Sequence, residues 1–295
     1  MLNKAPIFVN GFQRGGTTIL MNLVSSHPCV RILGPEVHEV FYGRNTDSLK
    51  RWVRLFLYTP VFITARRHIF WPYRFYDRGP LPYPVARYID LLFYVHKINS
   101  RSEHYHNGLI TNSLLRDRAR ARMVCKCVNG VVLATPLFAR MYPDATFIGL
   151  VRNGLALCEG FTRRGWSAER IGRMYQTVCD RMIHDASHLE NYYIVRFEDL
   201  LGDPVGSLNK VYECAGLDIN ETGRFKLRAK KSMDRQGRRS TIFGQEKEIH
   251  WYELENISDY LRQDVNENQI ARLGEGDKAE FLQYAQASMA HFGYL

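Results

Sequence analysis

The 295-residue chain is long enough for one large α/β domain or two small ones, and its 45% hydrophobic content supplies a buried core. A formal net charge of +10 favours a polyanionic partner, whether nucleic acid, an anionic membrane surface or a highly charged nucleotide, without choosing among them. Six cysteines with no CxxC pair and no dense spacing exclude a disulfide scaffold and fit reduced thiols.

The first apolar run, Ile7-Phe8-Val9, is followed by Gly11-Phe12-Gln13-Arg14-Gly15-Gly16-Thr17-Thr18 and then by the helical pattern Ile19-Leu20-Met21-Asn22-Leu23-Val24. Strand, glycine loop and helix in that order form a phosphate-binding unit, because a helix start presents unpaired N–H groups and the positive end of the helix dipole. The spacing matches the Walker loop G-x-x-x-x-G-K-[ST], but Thr17 stands at the lysine's place and the cation comes earlier, at Arg14. A Walker lysine reaches the β and γ phosphates, so its absence points away from ATP hydrolysis. Arg14-Gly15-Gly16-Thr17-Thr18 resembles the R-S-G-T-T 5′-phosphosulfate loop of sulfotransferases that use 3′-phosphoadenosine 5′-phosphosulfate (PAPS). Leu23-Val24-Ser25-Ser26-His27-Pro28 is similar to that family's helix and its exit. The resemblance implies that Arg14, Gly15, Gly16, Thr17 and Thr18 hold the donor, with Gly15 in place of a serine and the backbone cradle retained.

Pro28 and Gly34-Pro35 break the pattern, and Glu36-Val37-His38-Glu39 returns a carboxylate toward the loop. By resemblance to sulfotransferases, including the tyrosylprotein enzymes, Glu36 is the general base, with Glu39 and His38 as rivals. Residues 41–122 turn basic and aromatic and read as an acceptor-side insertion. Within it, residues 55–64 are far too short to span a bilayer, and residues 88–98 read as a helix packed through Leu91, Leu92 and Val95, with Tyr88 and Ile98 behind. Three uses of the stretch stay open: core packing with snorkelling arginines, an acceptor-binding lid, or a peripheral membrane contact.

Residues 123–128 form an apolar strand interrupted by Lys126, and a charge in such a strand needs an anionic neighbour. The resemblance implies that Lys126 faces the transferring sulfuryl group. A turn at Tyr142-Pro143-Asp144 precedes the strand 146–151, which ends in Arg152, at the end where α/β sheets bind ligands. This segment resembles the family's 3′-phosphate site, with Arg152 as its arginine. The family's serine eight residues later is Gly160 here, leaving Thr162 or a backbone N–H to replace it, and Arg164 matches a further nucleotide-binding arginine of the tyrosylprotein enzymes.

Residues 170–189 are an amphipathic helix carrying His184 and His188 on one face. It lacks the glutamate of H-E-x-x-H and a third ligand, so no metal is expected. Strand 193–197 leads into Glu198-Asp199, and Asp203-Pro204 reads as a helix cap. The basic stretch 226–239 reads as a loop over the nucleotide, in which Ser232 matches a donor-contacting serine of the tyrosylprotein enzymes; residues 277–291 read as a last helix.

The elements and the resemblance together imply an α/β, P-loop-like three-layer fold: a central parallel sheet flanked by helices, plus a helical basic and aromatic insertion, in one domain spanning 1–295. The implied activity moves a sulfuryl group from PAPS to a hydroxyl-bearing acceptor, either a phenol or tyrosine, a sugar or a lipid headgroup. Adenosine 3′,5′-bisphosphate (PAP) is released, Glu36 is the base, and Arg14 and Lys126 stabilise charge. A P-loop kinase and a basic nucleic-acid-binding protein are the competing readings; the first lacks its lysine and the second leaves Lys126 and the threonine pair unexplained. No nucleic-acid partner is expected. With the first strand starting so near Met1, the expected location is cytoplasmic, or the Golgi lumen for a trimmed form.

Overall fold

The computed structural model describes residues 1–34, 36, 37, 40, 80–100, 102–106, 108–112, 115–227, 249–259, 261 and 264–295. Its strands are β1 (Ile7–Gly11), β2 (Val30–Ile32), β3 (Glu103–His106), β4 (Leu109–Asn112), β5 (Arg122–Val128), β6 (Thr146–Val151), β7 (Tyr192–Arg196), β8 (Phe225–Leu227) and β9 (His250–Tyr252). Five of them form one parallel sheet in the order β2-β5-β1-β6-β7, while β3–β4 and β8–β9 are separate antiparallel pairs. The first strand is central, with Val9 level with Lys126 on one side and Ile148 on the other. All five β1 residues are buried, as expected for a strand covered on both faces.

Alternation along β1 sorts the two cores. Phe8 joins a cluster with Phe138, Phe147, Tyr175 and Phe281, stacking on Phe138 at 4.8 Å and Phe147 at 5.1 Å between ring centroids. Ile7 and Val9 face the opposite cluster, with Leu20, Leu23, Leu208 and Tyr212. Helices Gly154–Thr162, Ala168–His188 and Glu275–His291 cover the first face, and helices Thr17–Val24 and Pro204–Cys214 cover the second. The expected α/β three-layer arrangement is therefore present, and both β5 and β6 deliver their C-terminal ends to the loop that follows β1.

One expectation is corrected. Helix Tyr83–Asn99 buries Ala86, Ile89, Asp90, Phe93 and Lys97, whereas Leu91 and Val95 are 44% and 41% exposed. Two polar residues with strong internal partners turn the helix. Asp90 accepts from Asn3 N at 3.1 Å, Asn3 Nδ2 at 2.8 Å and Tyr142 Oη at 3.1 Å, and Lys97 Nζ donates to the Ala119 and Ala121 carbonyls, each at 3.0 Å. Two satisfied buried charges outweigh leaving Leu91 and Val95 partly exposed. The six cysteines are free, and among the described residues no helix is long and apolar enough to cross a membrane.

Candidate functional site

The loop between β1 and helix Thr17–Val24 is shaped by two left-handed residues, Arg14 at φ 67° and Gly16 at φ 86°. A Cβ on Gly16 would lie 2.3 Å from both Cδ2 and Cε2 of Phe197, so the position admits only glycine. A Cβ on Gly15 would stand 3.0 Å from the Phe12 carbonyl oxygen and 3.2 Å from Phe12 Cβ, so a side chain there would have to push Phe12 aside by a few tenths of an ångström. The Gly16 carbonyl starts the helix by accepting from Ile19 N and Leu20 N. The N–H groups of Gly16, Thr17 and Thr18 make no hydrogen bond among the described residues. They form the ready-made anion cradle of a helix start.

Lys126 lies within β5 rather than at its end, and its ammonium is brought back to the loop. Nζ donates to Thr18 Oγ1 at 3.2 Å and pairs with Glu36 Oε1 at 2.5 Å. Lys126 is 9% exposed, so the carboxylate at Glu36 is the anionic neighbour that a buried lysine requires. A phosphate-cradle threonine, a lysine and a carboxylate thus meet at one point. Pro35, the rival bases His38 and Glu39, and the expected donor contact Ser232 lie outside the described residues.

Arg152 follows β6 and is 5% exposed. Its Nε donates to Asn266 Oδ1 at 2.7 Å, Nη2 donates to Gln269 Oε1, and Nη1 donates to the Arg14 carbonyl. Its guanidinium lies 4.9 Å from the centroid of the Phe197 ring. Burial lowers the Arg152 pKa to about 10, while Glu198, Tyr294 and Glu159 oppose the shift, so the group stays charged at neutral pH. Glu198 accepts from Asn153 N at 3.0 Å, from Asn266 Nδ2, and from Tyr294 Oη at 2.5 Å. The buried Glu159 accepts from Gln269 Nε2 at 3.0 Å, Arg272 Nε at 3.1 Å and Arg163 Nε at 2.8 Å.

The structure therefore brings Arg14, Gly15, Gly16, Thr17, Thr18, Glu36 and Lys126 into one loop region, and joins Arg152 to it through the Arg14 carbonyl. Gly160 abuts the same region, since a Cβ there would be 3.8 Å from Arg14 Cβ. Arg164 is not drawn in: it sits exposed on the turn after helix Gly154–Thr162, and its side chain makes no hydrogen bond or ion pair among the described residues. Thr162, the alternative hydroxyl, donates back to the Glu159 carbonyl at 3.2 Å. Asn266 and Gln269, spaced three apart on helix Val265–Ile270, are the site neighbours that sequence reasoning missed.

His184 and His188 have no third metal-type ligand beside them among the described residues. His184 and His188 stack at 4.1 Å on an exposed face, and Asp185 between them is buried against Arg181. Among the described residues the one metal-type grouping is His27, Cys29 and Glu221. There His27 Nδ1 accepts the Cys29 N–H at 3.1 Å, which puts the neutral ring's proton on Nε2, the atom 3.3 Å from Glu221. A metal at Nε2 would have to displace that proton from a ring with no other, so the grouping is a histidine–carboxylate contact.

Residues 6–221 match the model of the sulfotransferase family. The chain belongs to the sulfotransferase family. It is accordingly an enzyme that transfers a sulfuryl group, with PAPS as the family's co-substrate and a hydroxyl-bearing compound as acceptor. No curated protein matches this sulfotransferase in sequence. Among solved structures, it is similar to the sulfotransferase domain of the olefin synthase of Synechococcus PCC 7002, with 15% identity, 97% of this chain and 94% of that one covered, and a TM-score of 0.49. A sulfotransferase of Mycobacterium tuberculosis H37Rv aligns at 16% identity over 92% of this chain and 77% of its own, with a TM-score of 0.39. Retinol dehydratase in complex with retinol and PAP aligns at 11% identity over 98% and 82%, with a TM-score of 0.40. The family assignment rests on the family model.

Proposed function

We propose that this sulfotransferase carries the sulfuryl group of PAPS to an acceptor hydroxyl with Glu36 as general base and Lys126 and the Arg14–Thr18 loop as charge stabilisers. The observation that carries the reading is Lys126 Nζ standing 3.2 Å from Thr18 Oγ1 and 2.5 Å from Glu36 Oε1. Glu36 takes the hydroxyl proton as the acceptor oxygen bonds to sulfur, and the bond from sulfur to the phosphate oxygen breaks on the far side, giving sulfate ester and PAP. The Gly16, Thr17 and Thr18 N–H groups and Lys126 face the negative charge that builds on the sulfuryl and leaving oxygens. Lys126 turns to those oxygens when the donor arrives, and Glu36 acts as the base. Arg152, beside Gly160, takes the 3′-phosphate; Arg164 and Ser232 are assigned to the nucleotide by their sequence match. The chain acts as one domain, with 41–122 on the acceptor side, and the acceptor is a phenol, sugar or lipid hydroxyl.

Turnover with labelled PAPS across these acceptor classes tests the reading. Glu36→Gln is expected to lower turnover roughly 10²–10⁴-fold, the usual contribution of a general base, while PAP affinity is kept. Near-normal turnover in Glu36→Gln, with loss in Glu39→Gln or His38→Ala, would move the base to one of those residues. Thermal stabilisation by PAP is expected, through mass action on the folded state; stabilisation by ATP with magnesium and none by PAP would favour a kinase.

A further inference from the structure

Resting on that reading of Arg152, we propose that Gln269 is a 3′-phosphate ligand, supplying the hydrogen-bond donor that Gly160 lacks. A Cβ on Gly160 would stand 3.6 Å from Gln269 Nε2 and 3.8 and 3.9 Å from Arg14 Cβ and Cγ, so the carboxamide borders the space where a side chain at 160 would project. The nearby hydroxyl of Thr162 is occupied with its own helix, donating to the Glu159 carbonyl.

The orientation of the carboxamide is dictated by its partners. An arginine only donates and an ionised carboxylate only accepts, so Oε1 faces Arg152 Nη2 and Nε2 faces Glu159 Oε2 at 3.0 Å. Glu159 uses one of the two N–H bonds on Nε2, and the second has no partner among the described residues. Arg152 is treated in the same way. Asn266 Oδ1, Gln269 Oε1 and the Arg14 carbonyl engage three of its five N–H groups, which leaves two for an anion. All three acceptors are neutral, so they fix the guanidinium without cancelling its charge, as a carboxylate at 269 would. A phosphate on the two remaining Arg152 N–H groups and the second Gln269 N–H leaves every existing bond in place. Gln269 thus orients the arginine with its oxygen and reads the same phosphate with its nitrogen.

The test compares PAP with AMP, which lacks the 3′-phosphate, by calorimetric titration of the full chain. Gln269→Ala is expected to weaken PAP roughly 10-fold, the weight of one hydrogen bond to a charged group, with AMP changed less than about twofold. Gln269→Glu is expected to weaken PAP further, and Gly160→Ser placed on Gln269→Ala to restore most of the loss. Gly160→Ser alone, which fits at ordinary contact distances, is expected to tighten PAP at constant AMP affinity. PAP affinity in Gln269→Ala equal to or above wild type, or an equal loss for both nucleotides, would overturn the proposal while leaving the donor assignment intact. A wild-type protein that binds PAP no better than AMP would overturn both.

Discussion

Replacing Gly16 by alanine strikes the loop where it is least able to yield. The backbone there is left-handed, at φ 86°, and a non-glycine residue pays about 1–2 kcal/mol to hold that conformation. The added methyl would also lie 2.3 Å from two carbons of the Phe197 ring. Phe197 is 4% exposed, packs in the cluster that holds Leu200 and Leu201, and carries the Arg152 guanidinium at 4.9 Å, so the ring cannot retreat without disturbing core or arginine. Overpacking of this kind adds about 1–3 kcal/mol, giving a total of about 2–5 kcal/mol. In urea unfolding, Gly16→Ala is expected to lose that amount, with Tm lower by roughly 3–8 °C for a chain of this length. Phe197→Leu on the Gly16→Ala background is expected to recover the overpacking part, as a coupling of about 1–3 kcal/mol in the double-mutant cycle. A Gly16→Ala protein within about 0.5 kcal/mol of wild type, or strict additivity in the cycle, would refute the claim that the ring and the backbone twist together impose glycine.

Arg152→Ala is expected to weaken PAP roughly 100-fold and AMP distinctly less in a binding titration, the remainder for AMP reflecting the lost bond to the Arg14 carbonyl; equal losses would remove the 3′-phosphate role. Lys226 is buried, and desolvation lowers its pKa to about 7, with Arg31 adding to the effect. The unfolded chain therefore binds a proton that the folded chain does not between about pH 7 and the ordinary 10.5, so wild-type stability rises with pH across that window. In denaturant unfolding, the difference between wild type and Lys226→Met is expected to grow in favour of wild type from pH 7 to pH 10, and a flat difference would count against the buried charge.

The sheet was readable because parallel strands covered on both faces are continuous apolar runs; 146–151 matches β6 residue for residue. The loop was readable because glycines, a cation and two threonines occupy fixed offsets, and Lys126 stood out as one charge in an apolar strand. What stayed hidden depends on partners far along the chain. Nothing local marks Asn266 or Gln269, since carboxamides three apart on a short helix are ordinary, and only the fold sets them on an arginine more than a hundred residues earlier. The face of helix Tyr83–Asn99 was misread for a related reason: apolar spacing predicts burial only when no polar residue on the helix has a better partner inside, and Asp90 and Lys97 both have one.

The central place of β1 also sets the order in which this protein can be assembled. Made before the other described strands, β1 has both of its neighbours, β5 and β6, more than a hundred residues downstream, with Ile7 level with Val124 on one side and Thr146 on the other. Each pairing must close a long loop before it gains anything, which makes the fold slow by topology. During translation the apolar run Ile7-Phe8-Val9 leaves the ribosome with neither edge satisfied, a state that invites aggregation or chaperone binding. The far end of the chain arrives later still, for Tyr294 completes the bonds on Glu198 that steady Asn266 beneath Arg152. The phosphate loop is made before the elements that surround it, yet its surroundings close only when helix Glu275–His291 has docked.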